Sequence, residues 1–294
     1  MAGAPDRLLQ RLEWKVVRRL EGRLQGGHAT RQRGSGIDFA GLRAYLEGDD
    51  ARHIDWNVTA RLGEPQLRQF TEDRQLTVWL VLDRSASMTA AGAGRGKHET
   101  LAELALLLAR LFARGGDRVG AVLYDAGLTR VVPPGSGRSH TLRLAAELER
   151  TTGARRGPTT DLALMLRTAA SLARRRSLVL VVSDFIGEGD WERALLQLTQ
   201  RHEVVALRIG DTAAEELPEA GIIVVEDAET GEQLLVDSGD PLLRARLRAQ
   251  LDEREQRLAA GMRRAGVPAH RIDASAELAG ALVELVSRSG GAGP

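Results

Sequence analysis

Two carboxylates and several hydroxyls stand where short apolar runs end. The run Leu76 to Leu82 (LTVWLVL) passes into Asp83-Arg84-Ser85-Ala86-Ser87, and the run Leu178 to Val182 passes into Ser183-Asp184. Between them, Pro158-Thr159-Thr160-Asp161 precedes a helical stretch. Apolar runs of this length read as buried strands of a parallel sheet, and in open parallel sheets ligands bind beyond the carboxyl ends of the strands. Asp83, Ser85, Ser87, Thr160 and Asp184 are therefore expected to converge at one sheet edge. Their donor atoms are all oxygen, which suits a hard divalent cation. Mg²⁺ (or Mn²⁺), which keeps several of its waters, fits one or two carboxylates with neutral hydroxyls better than it fits an all-protein cage. Hydroxyl ligands leave part of the ion's charge unneutralised, so the site would attract an incoming carboxylate. Alone, Asp83-x-Ser85-x-Ser87 also reads as turn and capping residues. With Thr160 and Asp184 arriving in matching strand order, the metal reading is the better one.

Other chemistries have less support. The chain has no cysteine, which removes thiolate metal sites, disulfides and cysteine nucleophiles. The six histidines are scattered without a zinc-ligand spacing. Ser85 or Ser87 as a nucleophile needs a base, and none is adjacent in sequence. An aspartyl phosphotransferase would have a second acid two residues after its nucleophile, where Ser85 stands. No phosphate-binding glycine motif follows any strand, and Gly34-Ser35-Gly36 reads as a turn.

The elements that must position these residues follow from periodicity. Helices are expected at His98–Arg114, Ser139–Thr151, Asp161–Arg175, Trp191–Arg201 and Ala276–Arg288, with a long one from Pro241 to Arg264. Strands are expected at Arg118–Tyr124 with a hairpin partner at Leu128–Val132, and at Val204–Ile209, Gly221–Val225, Gln233–Val236 and Ala269–Ile272. Alternation of short apolar runs with helices predicts an α/β fold, a Rossmann-like, doubly wound, mostly parallel sheet covered on both faces. Residues 76–289 would form it, 290–294 being a disordered tail. Residues 1–75 would hold an amphipathic helix over Arg7–Leu24 and a loop-rich extension. In that extension Glu47, Asp49, Asp50 and Asp55 are read as ion-paired with Arg43, Arg52 and Arg61, and Trp56 as an anchor in the core.

The 294 residues carry 41 Lys and Arg against 40 Asp and Glu, a net charge of +1. That excludes a chain-wide basic field of the kind nucleic-acid binders use. Only Lys15 and Lys97 are lysines. No run is long enough to span a bilayer, and Arg7, Arg11, Glu13 and Lys15 interrupt any apolar signal core, so a cytoplasmic location is expected.

The constellation Asp83-x-Ser85-x-Ser87, Thr160 and Asp184 resembles the metal-ion-dependent adhesion site (MIDAS) of von Willebrand factor A domains. There the motif follows the first strand, the Thr precedes a helix and the Asp follows a later strand. That family often has Gly-Gly-Thr where this chain has Gly157-Pro158-Thr159-Thr160, and a one-residue shift of the loop would make Thr159 the ligand. A second resemblance lies in Gly36-Ile37-Asp38-Phe39 through Leu42-Arg43-Ala44-Tyr45, in Gly48 to Trp56 (GDDARHIDW) and in Thr59-Ala60-Arg61. With Leu217-Pro218 and Asp227-x-Glu229-Thr230-Gly231-Glu232, these are similar to the signature of the bacterial domain of unknown function 58 family. The resemblance implies a sheet of von Willebrand factor A type and association with a MoxR-type AAA+ ATPase. Many family members carry transmembrane helices before this region, and their lack here fits a cytosolic member.

The expected function is a non-enzymatic, metal-dependent protein-binding module. Its partner would offer an acidic residue and be the MoxR-type ATPase or its client. The alternatives are a metal-dependent hydrolase or phosphatase using Asp83 and Asp184, and a structural subunit with an empty site.

Overall fold

The computed structural model of the chain describes residues 38–46, 49–71, 75–89, 96–125, 127–150, 160–187, 189–212, 220–228, 230–278 and 280–282. The helix expected over Arg7–Leu24, Thr159 and the tail at 290–294 lie outside them. The chain divides into two units, Gln25–Gln75 and the remainder.

The smaller unit carries more regular structure than its polar composition announces. Strand β1 (Asp38–Ala44) pairs antiparallel with β2 (Gln66–Thr71), and a 3-10 turn at Ala51–His53 and helix α1 (Trp56–Leu62) lie between them. Ion pairs hold the signature together, as expected: Arg43 meets Asp49 at 2.6 Å and Arg52 meets Asp50 at 3.2 Å. Asp55 meets an arginine outside the set expected to neutralise these acids. Its carboxylate bonds Arg68 at 2.9 Å, a residue that chain reversal through β2 brings back to it. The same carboxylate caps α1, accepting from the amides of Asn57 at 3.0 Å and Val58 at 3.2 Å. The Arg68 guanidinium and the Val58 amide hold Asp55 below the usual carboxylate range. Trp56 is not the core anchor expected of it, being 67% exposed. Capping keeps Asp55 inside and leaves the first helical residue, its neighbour, on the outer side. Leu67 is a buried apolar residue among those described here.

In the larger unit, β3 (Thr77–Asp83) is followed by a single helical turn α2 (Ala86–Thr89), α3 (Lys97–Arg114), β4 (Arg118–Tyr124) and β5 (Leu128–Gly135). Then come α4 (Gly137–Glu149), α5 (Leu162–Leu172), β6 (Leu178–Ser183), α6 (Trp191–Thr199) and β7 (Glu203–Gly210). A hairpin of β8 (Ile222–Glu226) and β9 (Gln233–Asp237) leads to α7 (Pro241–Arg264) and β10 (Ala269–Asp273). Six strands form one sheet in the order β10-β7-β6-β3-β4-β5. All neighbouring pairs are parallel except β4 with β5. This is the α/β, doubly wound, mostly parallel sheet that the sequence predicts. Pro133 and Pro134 fall in β5, where an edge strand tolerates residues that cannot donate a ladder hydrogen bond.

Alternate residues of β3 feed two cores. Val78, Leu80 and Leu82 pack with Leu101, Leu104, Leu108 and Phe112 of α3 on one face. Val81 packs with Leu162 and Leu166 of α5 and Leu195 of α6 on the other. Burial on both faces is why these strands read as unbroken apolar runs. The β8–β9 hairpin stands apart as its own two-stranded sheet, paired from Ile222 with Asp237 to Glu226 with Gln233. Among the described residues no helix is long and apolar enough to cross a membrane.

Leu80 is fully buried in the central strand. Leu80→Ala should lower the unfolding free energy by about 2–5 kcal/mol, read from chemical denaturation. In the smaller unit, Asp55→Ala should free the Asn57 and Val58 amides to exchange faster with solvent deuterium, while exchange across β3 and β6 stays unchanged.

Candidate functional site

The register of the sheet places the two acidic strand ends side by side. Parallel pairing of β3 with β6 runs from Val78 with Leu178 to Leu82 with Val182, so Asp83 and Ser183 come next on adjacent strands. Asp83, Ser85, Ser87, Thr160, Ser183 and Asp184 are all buried. One Asp83 oxygen accepts from the Ser85 amide at 3.0 Å and the other from the Ser183 hydroxyl at 2.5 Å. The Ser183 oxygen in turn accepts from the Phe185 amide at 2.8 Å. The Ser85 and Ser87 hydroxyls lie 3.0 Å apart in mutual hydrogen-bonding distance. Asp184 Oδ1 accepts from the Ile186 amide at 2.9 Å, and Asp184 Oδ2 meets the Lys97 ammonium at 2.9 Å.

Local backbone serves this convergence. Phe185 holds a left-handed conformation with φ of 55°, an uncommon choice for a bulky residue, and turns the chain sharply after Asp184. Thr160 enters from the other side of the loop. Its carbonyl oxygen would lie 2.5 Å from a Cβ at Gly187, so glycine there lets the segment after Asp184 pass against the segment carrying Thr160. Asp161 next to it caps α5, accepting from the Leu164 amide at 2.8 Å.

Burial and the charge of Asp184 push Asp83 up to about 7, against the pull of the Ser183 hydroxyl and the Ser85 amide. Among the described residues no group of three or more His, Cys, Asp or Glu side chains is placed to hold a metal. A cation site at this edge would therefore be completed by hydroxyls. The donor set fits one: two buried carboxylates with serine hydroxyls beside them, all hard oxygen donors.

The structure joins Asp83, Ser85, Ser87 and Asp184 in one hydrogen-bonded cluster through Ser183 and Lys97, and sets Thr160 against the loop that follows Asp184. Sequence reasoning passed over Ser183 and Lys97 as site residues. Ser183 was legible as the hydroxyl in register with Asp83, and Lys97 as one of two lysines among 41 basic residues. Arg84, inside the motif, bonds the Arg150 carbonyl at 3.2 Å, and its guanidinium lies 3.0 Å from His98 Nε2.

A carboxyl group that binds its proton more tightly in the folded state than in the unfolded state stabilises the fold at low pH and loses that contribution as pH rises. For Asp83 the loss falls between about pH 4, the unfolded value, and about pH 7. In chelator, Asp83→Asn should therefore gain stability relative to the unmodified chain as pH rises from 4 to 8, measured by urea unfolding at each pH. A constant difference would show that Asp83 ionises normally.

Comparison with known proteins follows the same boundaries. A family model described as Protein of unknown function DUF58 matches residues 41–257. The uncharacterized proteins Rv1480 of Mycobacterium tuberculosis and Mb1516 of Mycobacterium bovis are each 37% identical over 226 residues, covering 76% of this chain and 70% of theirs. Among solved structures, the conserved hypothetical protein BatB of Bacteroides thetaiotaomicron overlaps 73% of this chain and 98% of its own at 18% identity, with a TM-score of 0.47. The SpRpn10 VWA domain overlaps 72% of this chain and 94% of its own at 11% identity, with a TM-score of 0.39. Overlays this loose carry no argument about function, and the family rests on the sequence matches. Since the matched span takes in β3, β6 and both acidic strand ends together with most of the smaller unit, the chain belongs to the DUF58 family.

Proposed function

We propose that this protein is a non-enzymatic, divalent-cation-dependent protein-binding module. Asp83, Ser85, Ser87, Thr160 and Asp184 would hold Mg²⁺ or Mn²⁺ at the carboxyl edge of the sheet. When bound, the ion supplies a positive coordination point for an acidic side chain of a partner. The observation that carries the reading is the pairing of two buried carboxylates with the Ser85 and Ser87 hydroxyls at adjacent strand ends. The protein's own residues do the rest. Ser183 and the Ser85 amide fix the Asp83 carboxylate, the Ile186 amide fixes one oxygen of Asp184, and the turn at Phe185 keeps both acids at the rim of the sheet.

A covalent mechanism is less well supported. His98, the histidine nearest the motif in sequence, faces Arg84, and burial and that guanidinium lower its pKa. Neither observation sets it against a serine hydroxyl. The family resemblance makes a MoxR-type AAA+ ATPase, or a client of one, the proposed partner, met in the cytoplasm.

Asp83→Ala should abolish Mg²⁺ and Mn²⁺ binding in calorimetry while leaving the far-ultraviolet circular dichroism unchanged, because Asp83 ends its strand outside the two apolar cores. Ser85→Ala and Ser87→Ala should weaken binding less. Thr160→Val should weaken it where Thr159→Val does not, the reverse pattern moving the ligand by one residue. Retention of a partner from bacterial lysate should be lost with chelator and with Asp83→Ala. Metal-dependent turnover of phosphate or carboxylic esters that disappears in Asp83→Ala would replace binding with hydrolysis as the function.

A further inference from the structure

Lys97 links the two segments that a cation would join. Its ammonium lies 2.9 Å from Asp184 Oδ2 and donates to the Ser87 carbonyl at 3.3 Å. The pair is largely shielded from water, with the Lys97 side chain 14% exposed and that of Asp184 3% exposed. Because Asp184 Oδ1 already accepts from the Ile186 amide, Oδ2 is the oxygen with most freedom to take a cation, and it is the one Lys97 holds.

Two further observations set this residue apart. Lys97 opens α3 directly after the capping residue Gly96, the end of a helix where the aligned peptide dipoles disfavour positive charge. Something else must favour a cation there, and the two carboxylates beyond the strand ends do. The chain also writes nearly all its positive charge as arginine, with Lys97 the only lysine among the described residues. Arginine would grip a carboxylate with a planar fork of fixed geometry. Lysine carries a compact charge on a flexible stem that can leave without rearranging the backbone.

We infer that the Lys97 ammonium is an internal counter-ion that occupies Asp184 in place of the divalent cation and must be displaced before the cation is held. Loading of this edge is then an exchange of one cation for another, and Lys97 sets the metal concentration at which it occurs. The inference rests on the cation site proposed above and adds a residue to it that weakens binding. Two effects act in the same direction: the ion must break the Lys97–Asp184 pair, and it must approach a nearby positive charge.

The test uses the full chain and Mn²⁺ alone, titrated by electron paramagnetic resonance, with thermal unfolding in chelator and in Mn²⁺ as a second readout. Lys97→Met should bind Mn²⁺ about tenfold or more tightly than the unmodified chain. Lys97→Arg, which keeps the charge, should stay within about twofold of it. In chelator Lys97→Met should unfold at a lower temperature, and Mn²⁺ should restore more stability to it than to the unmodified chain. If Lys97→Met does not fold, Lys97→Gln, which retains a donor for Asp184 without the charge, takes its place in the same comparison. Equal or weaker Mn²⁺ binding by the neutral variant, with the unmodified chain binding, would overturn the displacement and leave the cation site standing. Tightening by Lys97→Arg equal to that by Lys97→Met would also overturn it, since charge would not be the cause. Absence of Mn²⁺ binding in the unmodified chain and in every variant would overturn the cation site and the inference together.

Discussion

Two carboxylates removed from water at neighbouring strand ends are the constraint around which the rest of the larger unit is arranged. Burial and the charge of Asp184 oppose the charge of Asp83, and a buried carboxylate persists only if neighbouring groups compensate. The compensation is visible group by group. Ser183 and the Ser85 amide take the two oxygens of Asp83, and the Ile186 amide and Lys97 take those of Asp184. These donors come from the two strand ends, the loops that follow them and the start of α3. A core sequence that needed only to fold would have no reason to assemble them.

The sheet makes this possible because its position is fixed from both sides. Alternate residues of β3 and β6 enter two separate apolar cores, so a slip of one residue would exchange every side chain between them. Register is therefore strongly specified, and with it the approach of Ser183 to Asp83. The helices contribute through their beginnings as well as their apolar faces: α3 begins with Lys97, and α5 begins one residue after the cap Asp161 that follows Thr160. Both starts lie on the segments that carry site residues.

The smaller unit uses charge differently. Among its described residues Asp49, Asp50 and Asp55 each meet an arginine, and Asp55 combines a salt bridge with a helix cap. These three carboxylates gain opposite charges from within their own unit, which is the pattern of an ion-paired scaffold. Asp83 instead faces the charge of Asp184, of its own sign, and is held by a hydroxyl and an amide.

How much of this could be read beforehand depended on whether the cause was local. The strands at Arg118–Tyr124 and Leu178–Ser183 and the helices at Trp191–Thr199 and Pro241–Arg264 follow from apolar periodicity and from caps such as Asp190 and Asp240, which act within a few residues. The candidate ligands were legible too, because Asp, Ser and Thr at strand ends form a short pattern. The strand pair β1–β2 was missed, since neither DFAGLRA nor QLRQFT keeps a regular alternation of polar and apolar residues and its pairing joins positions far apart in sequence. The partner of Asp55, Arg68, lay outside the arginines expected to neutralise this cluster, because nearness in sequence says little once the chain reverses. By itself the sequence determined most of the strands and helices of the larger unit, which acids end its strands, and to which family the chain belongs. Only the tertiary structure decided that Ser183 binds Asp83 and that a lysine from the start of α3 covers Asp184. Those contacts span about 100 and 87 residues of chain, and they exist only because two-sided packing fixes the register of neighbouring strands.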